Sequence, residues 1–92
     1  MKISVRFRGP IAREIEGGLV EAELEDGLSL RDLFSKILGQ NSYLQSVWRE
    51  PMEIDRDSMI LCNNVDIGVT GGLETTLKDG DVLTILPLVH GG

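Results

Sequence analysis

The chain has 92 residues, 41% of them hydrophobic, which is enough for one core and one domain. A domain this small buries only about 60% of the surface its unfolded chain exposes, leaving little interior for an enclosed catalytic cleft. Its 15 acidic and 9 basic residues give a formal net charge of −6, so nucleic acid and anionic membranes are repelled and basic partner surfaces are favoured. The lone Cys62 excludes an intrachain disulfide and a zinc knuckle, and its place in the run Met59-Ile60-Leu61-Cys62 reads as a buried, inert thiol.

From the start, Ile3, Val5 and Phe7 alternate with Lys2, Ser4, Arg6 and Arg8, the period of a strand with one buried and one wet face. That alternation differs from the apolar stretch of a signal peptide. Gly9-Pro10 ends the strand. Past Ala12, Arg13, Glu14 and the pair Gly17-Gly18, a second alternation sets Val20, Ala22 and Leu24 against Glu21, Glu23 and Glu25, until Asp26-Gly27 turns the chain. Leu30, Leu33, Phe34, Ile37 and Leu38 then form a single apolar stripe at helical spacing. Ser29 and Asp32 are placed for a capping box, and Gly39 is placed to end the helix.

Residues 40–58 are the least patterned. Tyr43, Leu44, Val47 and Trp48 suggest a short helical turn closed by Pro51, and Glu53-Ile54-Asp55-Arg56-Asp57 reads as a polar loop. Met59 to Cys62 reads as a strand, Asn63-Asn64 as a tight turn, and Val65-Asp66-Ile67 as a short return strand. Asp79-Gly80-Asp81 reads as a turn with solvated carboxylates, and Val82 to Leu86 as the last strand. Leu83 to Val89 is the longest apolar run, but Thr84 and Pro87 break it and it falls far short of the roughly 20 residues of a membrane-spanning helix. A cytoplasmic protein is expected. One helix across a mixed sheet of four to five strands would bury every stripe, an α+β architecture of the β-grasp type. The whole chain, 1–92, forms one such domain, with residues 87–92 as a projecting tail.

Conventional catalytic constellations are missing: one Cys, one His (His90) and scattered carboxylates assemble no nucleophile, base and orienter. Gly17-Gly18 and Gly71-Gly72 lack the lysine and hydroxyl residue of a phosphate loop and read as hinges. The remaining feature is Pro87-Leu88-Val89-His90-Gly91-Gly92. Two glycines carry no Cβ, so such a tail can thread a narrow channel and present a carboxylate to another protein's catalytic groups. A carboxylate is a poor electrophile until activated, which calls for an adenylating partner and ATP.

The stretch Leu77-Lys78-Asp79-Gly80-Asp81, followed by Leu83, Ile85, Pro87, Val89 and Gly91-Gly92, resembles the end of the MoaD/ThiS sulfur-carrier family. The likeness extends to Lys2–Phe7, Ala12-Arg13-Glu14, Leu28–Leu38, Leu61–Ile67 and Gly72-Leu73-Glu74-Thr75, with residues 40–58 resembling the longer, archaeal-type members. The resemblance implies a ubiquitin-like fold and a cycle on the Gly92 carboxylate. An E1-like enzyme of the MoeB/ThiF type adenylates it with ATP, a persulfide donor supplies sulfur, and the resulting thiocarboxylate passes that sulfur on. The branch implied is molybdopterin synthesis, with a MoaE-like large subunit as partner. The chain would then be the carrier subunit of a sulfurtransferase rather than an enzyme alone, and would hold no cofactor of its own. Two positions depart from the usual pattern: Leu88 stands for a second proline, and His90 for a small residue before Gly-Gly. His90 reads as a spacer or partner contact.

With Ile3, Val5, Leu83 and Ile85 facing the helix, Val82 and Leu86 fall on the open face of the sheet. The expected contact residues are Phe7, Val82, Leu86, Leu88, Val89 and His90, with Gly91 threading and Gly92 carrying. Other readings remain open: a ubiquitin-like modifier joined through Gly92 to lysines, a carrier for tRNA thiolation or thiamine synthesis, or a β-grasp interaction domain with an idle tail.

Overall fold

The alternation at the start of the chain produces β1 (Lys2–Phe7), whose residues Ile3 and Val5 are fully buried while Lys2 and Arg6 are exposed. The computed structural model describes residues 1–88. β1 pairs antiparallel with β2 (Leu19–Glu23) and parallel with β5 (Val82–Pro87). β5 in turn pairs antiparallel with β3 (Ser58–Cys62), and β3 with the two-residue β4 (Val65–Asp66). The order β2-β1-β5-β3-β4 makes β1, β5 and β3 the interior strands of a mixed five-stranded sheet, as expected of a β-grasp.

Helix α1 (Leu30–Gln40) lies across one face and buries its whole stripe, Leu30, Leu33, Phe34, Ile37 and Leu38. Its start is a full capping box: Ser29 Oγ accepts from the Asp32 amide at 3.3 Å, and Asp32 Oδ2 accepts from the Ser29 amide at 2.9 Å. Its end differs from expectation. Gly39 stays helical, and Asn41, extended at φ −127°, stops the helix and accepts from the Leu44 amide at 3.0 Å to open the next one.

Residues 40–58 hold more helix than their pattern suggests. Besides α2 (Ser42–Val47), the expected polar loop Glu53–Asp57 is helical, as part of α3 (Pro51–Asp57). Pro51 sits at its first turn, where a missing N–H costs nothing, and Ile54 is its one buried residue, too few for a visible stripe. Trp48 between them is 2% exposed, and its Nε1 donates to Asp57 Oδ2 at 3.1 Å.

Asn63 and Asn64 have φ of 50° and 71°, the left-handed pair a two-residue hairpin requires. The return strand is shorter than expected, because the Asp66 side chain accepts from the Gly68 amide at 2.8 Å and starts α4 (Ile67–Thr70) at Ile67. The carboxylates of Asp79-Gly80-Asp81 are likewise structural rather than simply solvated. Asp79 accepts from the Lys2 amide at 2.7 Å. Asp81, 9% exposed, accepts from Asn63 Nδ2 and from the Lys78 amide, each at 2.8 Å.

Leu33 and Ile37 are fully buried at the centre of the core. Leu33→Ala and Ile37→Ala should each lower unfolding free energy by about 2–5 kcal/mol, as cavity-creating changes do. Denaturant titration measures this, and near-neutral values at both would mean the helix does not pack as described.

Candidate functional site: the open sheet face and the base of the tail

Side chains that alternate with the core set line the face opposite α1. On β5 these are Val82, half-buried, and Leu86, 38% exposed; on β3 they are Met59, exposed, and Leu61, half-buried. The register places Met59 opposite Leu86 and Leu61 opposite Thr84, so an apolar patch spans two neighbouring strands. Leu88, exposed, extends it toward residues 89–92. Val82 and Leu86 thus lie on the face that the alternation gave them, and Leu88 follows the end of β5. Met59 and Leu61 complete the patch without having been singled out, although the period of two around the buried Ile60 carried that signal.

Phe7 is a correction. It has the same parity as Ile3 and Val5, is 3% exposed, and belongs to the core beneath α1 rather than to a contact face. On β1 the open face carries Ser4 and Arg6 instead, with Arg8 next in the alternation. Val89, His90, Gly91 and Gly92 lie outside the described residues.

The strand that leads to them is fixed on both sides. Ser58 pairs with Pro87, and the Leu88 amide donates to the Asp57 carbonyl at 2.7 Å. On the other side the Arg8 amide donates to the Ile85 carbonyl at 2.9 Å. The next rung of that parallel ladder would need an N–H at position 87, which proline lacks, so pairing with β1 stops there. Asp57 is itself held by Trp48 Nε1 and by Arg56, whose Nε donates at 2.8 Å. The Arg56 guanidinium keeps the Asp57 carboxyl below its ordinary value.

Cys62 is half-buried, more open than its apolar run suggested. Burial first, and then the neighbouring Asp81 carboxylate, push its thiol pKa up, so the nucleophilic thiolate is disfavoured. No cluster of metal-ligating side chains occurs among the described residues, and none of their helices is long and apolar enough to cross a membrane.

The ThiS family model matches residues 10–92, a span that runs through β5 and the Gly-Gly pair. The chain belongs to the ThiS family, whose relatives include sulfur carriers and ubiquitin-like small proteins. Sulfur carrier protein CysO of Mycobacterium tuberculosis is 45% identical over 42 residues, a match spanning 46% of this chain and 45% of that protein. Subunits 1 and 2 of molybdopterin-converting factor from Helicobacter pylori form a solved complex, one chain of which is 30% identical, with full coverage of both chains and a TM-score of 0.63. The ubiquitin-like β-grasp fold is shared with SAMP1 of Haloferax volcanii, at a TM-score of 0.78, 17% identity and full coverage of both chains.

The two faces of the sheet should respond oppositely to substitution. Phe7→Ala should cost about 3–5 kcal/mol of stability, whereas Leu86→Asp should change it by no more than about 0.5 kcal/mol. Thermal melting of the two variants side by side checks this. Loss of the fold in Leu86→Asp would place that residue in the core.

Proposed function

We propose that this member of the ThiS family is a sulfur carrier whose Gly92 carboxylate is adenylated and converted to a thiocarboxylate. The observation that carries the reading is the family match through residue 92, which includes Gly91-Gly92 together with the strand that leads to them. The 45% identity to a protein named as a sulfur carrier supports it.

An E1-like enzyme of the MoeB/ThiF type docks on the apolar patch of Val82, Leu86 and Leu88, and Gly91 lets the backbone enter its active site. ATP there transfers AMP to the carboxylate and releases pyrophosphate. A persulfide donor then attacks with its outer sulfur and displaces AMP, and a second thiol attacks the donor's inner sulfur, leaving with it as a disulfide and freeing the thiocarboxylate on Gly92. Val89 and His90 act as spacer and contact between the patch and the reacting group. Adenylation puts the cycle in the cytoplasm, where ATP is available.

The sulfur acceptor we favour is a molybdopterin precursor held by a MoaE-like large subunit. The 30% identity to a chain of the two-subunit molybdopterin-converting factor complex, over its full length, supports that branch. The carrier alone supplies no general acid or base to the transfer; its contribution is a positioned acyl group.

Intact-mass spectrometry after incubation with ATP, a purified MoeB-type enzyme and sulfide tests the cycle. Sulfide attack on the acyl-adenylate releases AMP, so the mass should rise by about 16 Da, one sulfur for one oxygen. A chain lacking Gly92 should show no gain while keeping the melting temperature of the parent. An unchanged mass, or Gly-Gly remnants on the lysines of other proteins in place of the gain, would overturn the carrier reading.

A further inference from the structure

The formal charge of −6 suggests that basic partners are drawn to this chain, yet its charge is unevenly placed. Carboxylates gather near the amino-terminal end of β1, where Glu23 lies opposite Lys2 and Asp79 binds the Lys2 amide, with Glu25 and Asp26 nearby in sequence. At the carboxyl-terminal end of β1 stand Arg6, Arg8 and Arg13, all exposed. Arg8 and Arg13 line a shallow depression floored by Gly17 and Gly18, and Arg6 and Arg8 line a second one beside it. Gly18 suits that position, because its φ of +65° is one that L side chains rarely adopt and a Cβ would stand 3.3 Å from the Phe7 carbonyl oxygen.

These arginines differ from others on the surface. Arg31 is paired with Glu74 and Arg56 with Asp57, each at 2.8 Å, and Arg49 with Glu53 at 3.7 Å. Among the described residues, Arg6, Arg8 and Arg13 take part in no ion pair, although Glu14 and Glu16 belong to the same segment. Their position matters more than their number. Arg6 is in register with Thr84, and Arg8 follows on, one strand away from Leu86. Neighbouring strands lie about 4.8 Å apart, so Arg6 and Arg8 border the apolar patch at the end where β5 leads to residues 89–92, and Arg13 joins them through the depression it shares with Arg8.

An apolar centre with a charged rim is the ordinary anatomy of a protein interface, and unpaired guanidinium groups are suited to bidentate contact with carboxylates. We propose that Arg6, Arg8 and Arg13 form a recognition rim for acidic side chains of the protein that docks on the open sheet face. The depressions are shallow and one includes Glu16, which suits the mixed surface of a protein better than a phosphate group. The partner's docking surface is therefore apolar with an acidic border, the opposite of what the net charge alone suggests.

This inference rests on the carrier reading, because the activating enzyme is the partner to be assayed. ATP–pyrophosphate exchange by a purified MoeB/ThiF-type enzyme gives KM and kcat for the carrier as substrate. Arg6→Glu combined with Arg8→Glu should raise KM about tenfold or more with kcat unchanged, since rim charges govern encounter and register. Arg13→Glu should act in the same direction, and Arg→Lys at each position should recover only the part of the loss that depends on charge alone. Glu23→Lys, at the far end of β1, should leave KM within about twofold of the parent. Added salt should raise the parent's KM more than that of the double variant. Melting temperatures identify any loss of fold, in which case Arg6→Gln with Arg8→Gln is used and a KM rise of about threefold is expected. An unchanged or lower KM in folded Arg→Glu or Arg→Gln variants overturns the acidic-partner proposal alone. Absence of exchange with the parent chain overturns the carrier reading, and this proposal with it.

Discussion

The structure depends on the parallel pairing of β1 with β5, the first and last strands of the sheet. A parallel pair cannot be closed by a tight turn, so everything between the two strands must form the crossover and find its place around them. α1 is the largest piece of that crossover, and its apolar stripe covers Ile3, Val5, Leu83 and Ile85, all fully buried. Once that face is committed to the core, the period of two leaves Arg6, Val82, Thr84 and Leu86 for the other side. A one-residue slip would exchange the two sets, exposing the core and burying an arginine. The open face is thus a direct consequence of how the core is built.

The same pairing determines where the end of β5 emerges. β5 lies at the middle of the sheet rather than at an edge, so a neighbour on each side holds it as far as position 85, β3 holds it through Pro87, and Asp57 at the end of α3 holds Leu88. The segment least patterned in sequence supplies the last restraint. Trp48 is buried and bonded to Asp57, whose carbonyl accepts from Leu88. α2 and α3 therefore do more than fill a long connection. They brace the end of β5, from which the chain passes on to residues 89–92.

Charge follows the strand direction. β1 has carboxylates around its start and arginines around its end, so it places opposite potentials at opposite ends of one small domain. Beyond the Debye length of about 8–10 Å exposed charges are largely screened, so the two ends of β1 act on a partner separately. Composition therefore gives the net charge, whereas the fold decides where along β1 the carboxylates and the arginines stand.

Much of this was legible in the sequence because it is local and periodic. The alternation of Lys2–Phe7 and Val82–Leu86, the stripe from Leu30 to Leu38, the Ser29–Asp32 box and the Asn63-Asn64 turn each depend on near neighbours, and each formed as its residues require. The family motifs, including Gly91-Gly92, were likewise readable as a string. What tertiary structure alone decided involves partners distant in sequence. Phe7 belongs to the core because β1 shares a face with β5 and lies under α1, and its apolar character by itself suited either face. Glu53–Asp57 became helical because Ile54 and Trp48 found buried sites in the rest of the domain, which no short stripe announced. Asp81 is buried rather than solvated because Asn63, on another hairpin, donates to it. The placing of Arg6 and Arg8 beside Leu86 likewise exists only once β1 and β5 are paired. Periodicity is written in neighbouring residues, whereas the choice of face, the burial of a charge and the local sign of the field are set by which strands meet.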